Sequence, residues 1–164
     1  NKANNKIDKD KDYILEENLS DNTVSYKVSS CCNPIPGDPV IGFIDNNNEV
    51  VIHKKTCPVA LEIASTQGGR IINAKWTKHT ILSFLARIEI KGIDRMGIVN
   101  DLTQYITKEL NVNFRKIFFE VHDGVFIGYV DVYVHDTSDL NNIIEKFMEV
   151  KGVENVSRVD FKDE

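Results

Sequence analysis

Long apolar runs are missing from this sequence. None approaches the roughly 18 residues of a membrane-spanning helix, and no signal-peptide pattern opens it, so these residues are expected to hold no membrane span and to have no membrane partner. Positive charge is also short. With 20 Lys and Arg against 25 Asp and Glu the net charge is -5, and indiscriminate binding to nucleic acid or anionic lipid would need a local basic patch. Cysteine is scarce too: there are 3, an odd number, and Cys31 and Cys32 are adjacent. That usage argues against a secreted disulfide framework, favours reduced thiols and points to the cytoplasm. The sequence opens without Met on a polar stretch, which reads as a piece of a longer protein that need not carry its parent's activity.

What is present suits two small α+β domains, for which 164 residues at 41% hydrophobic content leave room. Residues 1–22 are rich in Asn, Lys, Asp and Glu and read as a polar tail or linker, too poor in apolar side chains to offset the entropy of ordering. The first domain spans residues 23–78. A short strand over Thr23 to Val28 leads into a shaped loop from Ser29 to Asp38, where Pro34, Pro36 and Gly37 rule out helix. Val40 to Ile44 and Glu49 to His53 form a hairpin across Asp45-Asn46-Asn47-Asn48. Thr56 caps a short helix with Pro58 in its first turn and Val59, Ala60, Ile63 and Ala64 on its buried side; Gln67-Gly68-Gly69 ends it, and Arg70 to Trp76 is a further strand. Lys75, Lys78 and His79 read as solvated junction residues.

The second domain, residues 79–164, is built around a strand from Leu82 to Lys91 whose side chains alternate between apolar and polar faces. The strand ends at Gly92, Asp94 reads as an N-cap, and Met96, Val99, Leu102, Ile106 and Leu110 make one helical stripe that the Asn111-Val112-Asn113 segment closes. Phe114 to Val121 and Val125 to His135 are strands joined by a His122-Asp123-Gly124 turn. Thr137, Ser138 or Asp139 caps a second helix with Leu140, Ile143, Ile144, Phe147 and Met148 on its buried face, and Val153 to Phe161 is the last strand. The order β-α-β-β-α-β predicts a ferredoxin-like antiparallel sheet with two helices on one face.

Two clusters are candidates for chemistry. Cys31, Cys32, His53 and Cys57 are the residue types zinc prefers, placed at a loop, a strand end and a helix start of one domain; buried apolar thiols are the competing reading, because adjacent cysteines depart from the usual knuckle spacing. A nucleophilic role for Cys57 lacks an orienting partner. In the second domain, the loop Ile93, Asp94, Arg95, Met96 and Gly97 lies between Gly92 and a helix start, where backbone amides suit an anionic group or a second chain. It has no phosphate-loop lysine. The pairs His122-Asp123 and His135-Asp136 read as turn residues.

The run from Cys31 to Ile44, followed by Val51-Ile52-His53-Lys54-Lys55-Thr56-Cys57-Pro58, resembles the conserved-cysteine, zinc-finger-like domain in the C-terminal half of long RelA/SpoT proteins, the (p)ppGpp synthetases and hydrolases of the stringent response. Asp94-Arg95-Met96-Gly97-Ile98 on a β-α-β-β-α-β chain resembles the ACT domain that ends those proteins. The resemblance implies a non-catalytic regulatory region of a GTP pyrophosphokinase, (p)ppGpp hydrolase or both, controlling catalytic domains that lie upstream. It also implies zinc at Cys31, Cys32, His53 and Cys57 and no required cofactor in the ACT domain. Ile93, Asp94, Arg95, Met96, Gly97 and Ile98 would bind an amino acid, with self-association through the ACT domain. A ribosome- or RNA-binding module is the alternative, and a small metalloenzyme a third, for which four protein ligands leave no open position. The hairpin tip Asp45 to Glu49 carries no arginine to neutralise phosphates, so ribosome or tRNA contact there has no counterion-release term behind it.

Overall fold

In the computed structural model, which describes residues 7, 10–18, 23–80, 82–110 and 112–161, contacts divide the chain into one unit ending at Leu82 and a second starting at Ser83, later than the expected boundary after Lys78. Most of the expected tail, and the cap expected at Asn111, lie outside the described residues.

The first unit holds β1 (Tyr13–Leu15), β2 (Glu17–Asn18), β3 (Thr23–Val24), β4 (Tyr26–Val28), β5 (Val40–Ile44), β6 (Val50–Lys54), α1 (Pro58–Thr66) and β7 (Ile71–Trp76). Its main sheet runs β1-β7-β5-β6-β4, with β5 antiparallel to β6 and β7 and the outer strands β1 and β4 parallel to their neighbours. Period-2 alternation gives the sheet two buried faces. One face gathers Leu15, Tyr26, Val40, Val50, Ile52 and Ile72. The other carries Phe43 against Cys32, Cys57 and Ala60, so the cysteine loop and α1 cover it.

Three expectations need correction here. Tyr13–Leu15 is not tail: it pairs with Ala74–Trp76, and Leu15 is fully buried, because a free strand edge supplies partners that average composition does not register. Thr56 is not the cap. Cys57 holds that position with extended backbone and no side-chain cap bond, and Pro58 follows it directly. His79 is not solvated; it is 4% exposed, ringed by Tyr26 and Trp76. The Thr77 carbonyl can only accept, so His79 Nδ1 donates to it at 2.8 Å and Nε2 accepts from the Tyr26 hydroxyl at 2.8 Å.

The second unit contains β8 (Phe84–Ile93), α2 (Ile98–Gln104) continued by a wider π turn over Tyr105–Leu110, β9 (Phe114–His122), β10 (Val125–Val134), α3 (Thr137–Met148) and β11 (Val153–Val159). The sheet is antiparallel throughout in the order β11-β8-β10-β9, the split βαβ arrangement of ferredoxin-like folds. Asp123 and Gly124 both have positive φ, as the tight β9–β10 turn requires. Ala86, Ile88, Ile90, Phe126 and Val130 form the buried sheet face, to which α3 contributes Leu140, Ile143 and Phe147.

Helix starts differ from expectation. Gly97, at φ 84°, is the N-cap of α2, so Asp94 caps nothing; Asp136 caps α3 by accepting from the Asp139 amide at 2.9 Å, in place of Thr137, Ser138 or Asp139. The later start of α2 rotates its stripe. Ile98, Leu102 and Ile106 are buried at steps of four, while Met96 is 99% exposed and Val99 is exposed. Gly92 is also explained internally: a Cβ there would sit 2.2 Å from the Gly152 carbonyl oxygen, so its missing side chain admits the turn before β11 rather than a ligand.

Candidate functional site

In the first unit, the loop after β4 brings Cys31 and Cys32, the end of β6 brings His53, and the start of α1 brings Cys57. Their ligand atoms all lie within 4.8 Å of one another. Cys31 Sγ is 3.5 Å from Cys57 Sγ, 3.9 Å from Cys32 Sγ and 3.3 Å from His53 Nδ1, and Cys32 Sγ is 4.0 Å from the same nitrogen. A tetrahedral site with Zn–S bonds of about 2.3 Å has sulfur–sulfur edges of about 3.8 Å, so three thiols and one imidazole at these separations fit a closed zinc site.

The surroundings tune the donors. The Lys54 amide donates to Cys32 Sγ at 3.3 Å, the Ser29 hydroxyl lies 2.9 Å from Cys31 Sγ, and Phe43 packs edge-on against the His53 ring. Burial pushes the Cys32 thiol up to about 12 and the His53 imidazole down, which keeps that ring neutral and able to ligate. Burial also raises Cys57, but the amides of Ala60 and Val59 at the helix start and the two neighbouring thiols outweigh it, and the net direction is down.

In the second unit, the loop between β8 and α2 is held from several sides. The Ile93 amide donates to Gly152 O at 3.1 Å and the Asp94 amide to Gly124 O at 2.9 Å. Arg95 ties the loop together: Nε and Nη2 both donate to Lys151 O, and Nη2 also meets the Asp101 carboxylate at 2.7 Å. Ile93, Asp94, Met96 and Gly97 are exposed, whereas Ile98 is buried and points its side chain into the core. Exposed Ile93, Met96 and Val99 and the exposed strand partner of Ile93, Val125, lie around this loop.

Comparison with known proteins matches both units to families. Residues 18–77 match the RelA/SpoT RIS domain and residues 80–158 match the ACT domain. GTP pyrophosphokinase of Streptomyces coelicolor is 28% identical over 81% of this chain, and the bifunctional (p)ppGpp synthase/hydrolase RelA of Mycobacterium tuberculosis is 29% identical over 81%. The chain belongs to the RelA/SpoT family. It spans 16% and 18% of the length of those relatives, and both matched domains are regulatory, so it corresponds to a non-catalytic C-terminal region of a RelA/SpoT protein. A crystal structure of the ACT domain from GTP pyrophosphokinase of Chlorobium tepidum is 35% identical, spanning 48% of this chain and all of that domain, with a TM-score of 0.44.

Some positioning residues of this RelA/SpoT chain escape sequence reading. Glu17 accepts from the Thr80 amide at 2.6 Å and the Leu82 amide at 3.0 Å, pinning the segment that leaves the RIS unit. Arg95 reaches Lys151 across 56 positions. No local motif marks Glu17, and the loop motif that includes Arg95 does not name Lys151, because each residue finds its partner only through the fold.

Proposed function

We propose that this chain is the sensory tail of a (p)ppGpp synthetase, hydrolase or bifunctional enzyme acting in the cytoplasm, with zinc as the structural centre of the RIS unit and the ACT loop as contact for an amino acid or a second copy. The carrying observation is the convergence of Cys31, Cys32, His53 and Cys57 within 4.8 Å in a RelA/SpoT RIS unit. Zinc bound by four protein ligands would stabilise fold rather than supply an open catalytic position, which favours a regulatory role over a metalloenzyme.

In the ACT unit, the loop offers the Met96 and Gly97 amides to a carboxylate, the exposed Asp94 carboxylate to an ammonium group, and the apolar surface of Ile93, Met96, Val99 and Val125 to a second chain. Ligand or partner binding there would bias the upstream catalytic domains. Ribosome or tRNA contact through the hairpin tip is not favoured. Asp45 is committed to the amides of Asn47 and Glu49, and Glu49 pairs with Lys27, so the tip presents acidic and amide groups.

Metal analysis of the purified chain, with calorimetric titration of the amino acids, tests both halves. Stoichiometric zinc and saturable heat from one class of amino acid are expected. Metal-free protein that keeps its native circular dichroism would remove zinc from the reading, and the absence of both amino-acid heat and self-association would remove the loop.

A further inference from the structure

We propose that Cys31 and Cys57 couple into a disulfide when the cluster meets a hydroperoxide, making the centre an oxidation-responsive modification site. Among the three thiols, Cys31 is the exposed one, while Cys32 and Cys57 are buried, so an oxidant in solution reaches Cys31 first. The sulfur nearest to it is Cys57 Sγ at 3.5 Å, and closing that gap to the roughly 2.05 Å of a disulfide needs a shift of about 1.5 Å. Cys31 sits on an irregular loop that can supply such a shift. The competing vicinal pair is disfavoured by chain geometry, since adjacent Cα atoms are about 3.8 Å apart and disulfides require about 4.4–6.8 Å.

Counted from the thiols, the chemistry balances with one hydrogen peroxide. The Cys31 sulfur attacks the peroxide, the O–O bond breaks, and a sulfenic acid and one water result. Cys57 sulfur then attacks the sulfenic sulfur, the S–O bond breaks, the S–S bond forms and a second water leaves. Two thiols are oxidised and the peroxide is reduced to two waters. The product retains only Cys32 and His53 as ligands, too few for a closed tetrahedral site, so a bound zinc would be expelled. That last step rests on the zinc reading above; the disulfide itself does not.

The test treats the intact chain, zinc-loaded and separately metal-free, with hydrogen peroxide, then alkylates free thiols and maps peptides without reduction. The expected product joins Cys31 to Cys57, leaves Cys32 alkylated, releases zinc to a chromogenic chelator and is reversed by dithiothreitol with zinc. Cys32→Ser should keep the cross-link and Cys31→Ser should abolish it. A bridge containing Cys32, or oxidation that stops at sulfinic acid with no bridge, overturns the proposal. Zinc release without the Cys31–Cys57 bridge sinks it while sparing the metal reading; the bridge in a chain that never binds zinc does the reverse.

Discussion

The Asp131 carboxylate receives Nε and Nη2 of Arg87 at 2.7 and 3.1 Å, a bidentate pair buried between β10 and β8 in the ACT unit. Arg115 adds a third bond at 2.8 Å, and Phe161 lies over both guanidinium groups. Burial alone would raise the Asp131 carboxyl, but the two arginines outweigh it and hold it below the ordinary value. Removing one partner of such a pair leaves an uncompensated buried charge. Asp131→Ala should therefore cost the ACT unit about 3–5 kcal/mol, read by hydrogen exchange of β8 and β10 amides in the whole chain. Because the folded carboxyl is depressed, the contribution is complete above its unfolded value of about 3.9 and disappears as pH falls through the folded one. A flat profile across that acid window would show that the pair contributes nothing.

The metal reading makes the RIS unit depend on Cys57. Cys57→Ser should abolish zinc binding and lower the unfolding midpoint of the first unit while leaving the ACT unit folded. The single tryptophan, Trp76, belongs to β7 of that unit, so its fluorescence reports the transition, and exchange at ACT amides reports the other half. Coincident loss of both units would show that Cys57 supports more than the RIS unit.

Capping separates two aspartates that look alike in sequence. Asp136 accepts the Asp139 amide and caps α3, so Asp136→Ala should cost about 1 kcal/mol. Asp94 caps nothing and is exposed, so Asp94→Ala should change stability by less than about 0.5 kcal/mol. Denaturant melts compare them directly; a loss at Asp94 as large as that at Asp136 would restore its capping role.

The proposed self-association through the ACT loop is best probed at Met96, whose side chain is almost wholly in solvent. Gly97 is a poorer choice, because at φ 84° a valine would carry a backbone strain of about 1–2 kcal/mol unrelated to binding. Met96→Asp should leave the unfolding transition within about 0.5 kcal/mol of the parent while shifting the chain to monomer in sedimentation. Unchanged association would place the contact elsewhere.

Local chemistry was enough to read much of this protein. Alternating side chains marked β8, β-branched and aromatic content marked β10, Asp123-Gly124 marked the turn joining β9 to β10, and residue types at a loop, a strand end and a helix start marked the four metal-type ligands. The strand and turn signals act between neighbours in the chain, so they survive without knowledge of the fold, and the ligand set was legible from residue type alone. Tertiary structure decided the rest. The phase of α2 follows from Arg95 being held at Lys151 and Gly92 packing against Gly152, which delay the helix until Ile98 and turn Met96 outward. Tyr13–Leu15 became a strand because β7 had an edge to offer, and His79 was buried by Tyr26 across 53 positions. Arg87 and Asp131, 44 positions apart, became an internal pair because β8 and β10 align them in register. Partners so distant in sequence are selected by sheet pairing, and a buried charge or a polar segment gains its stabilising contacts only after that pairing exists.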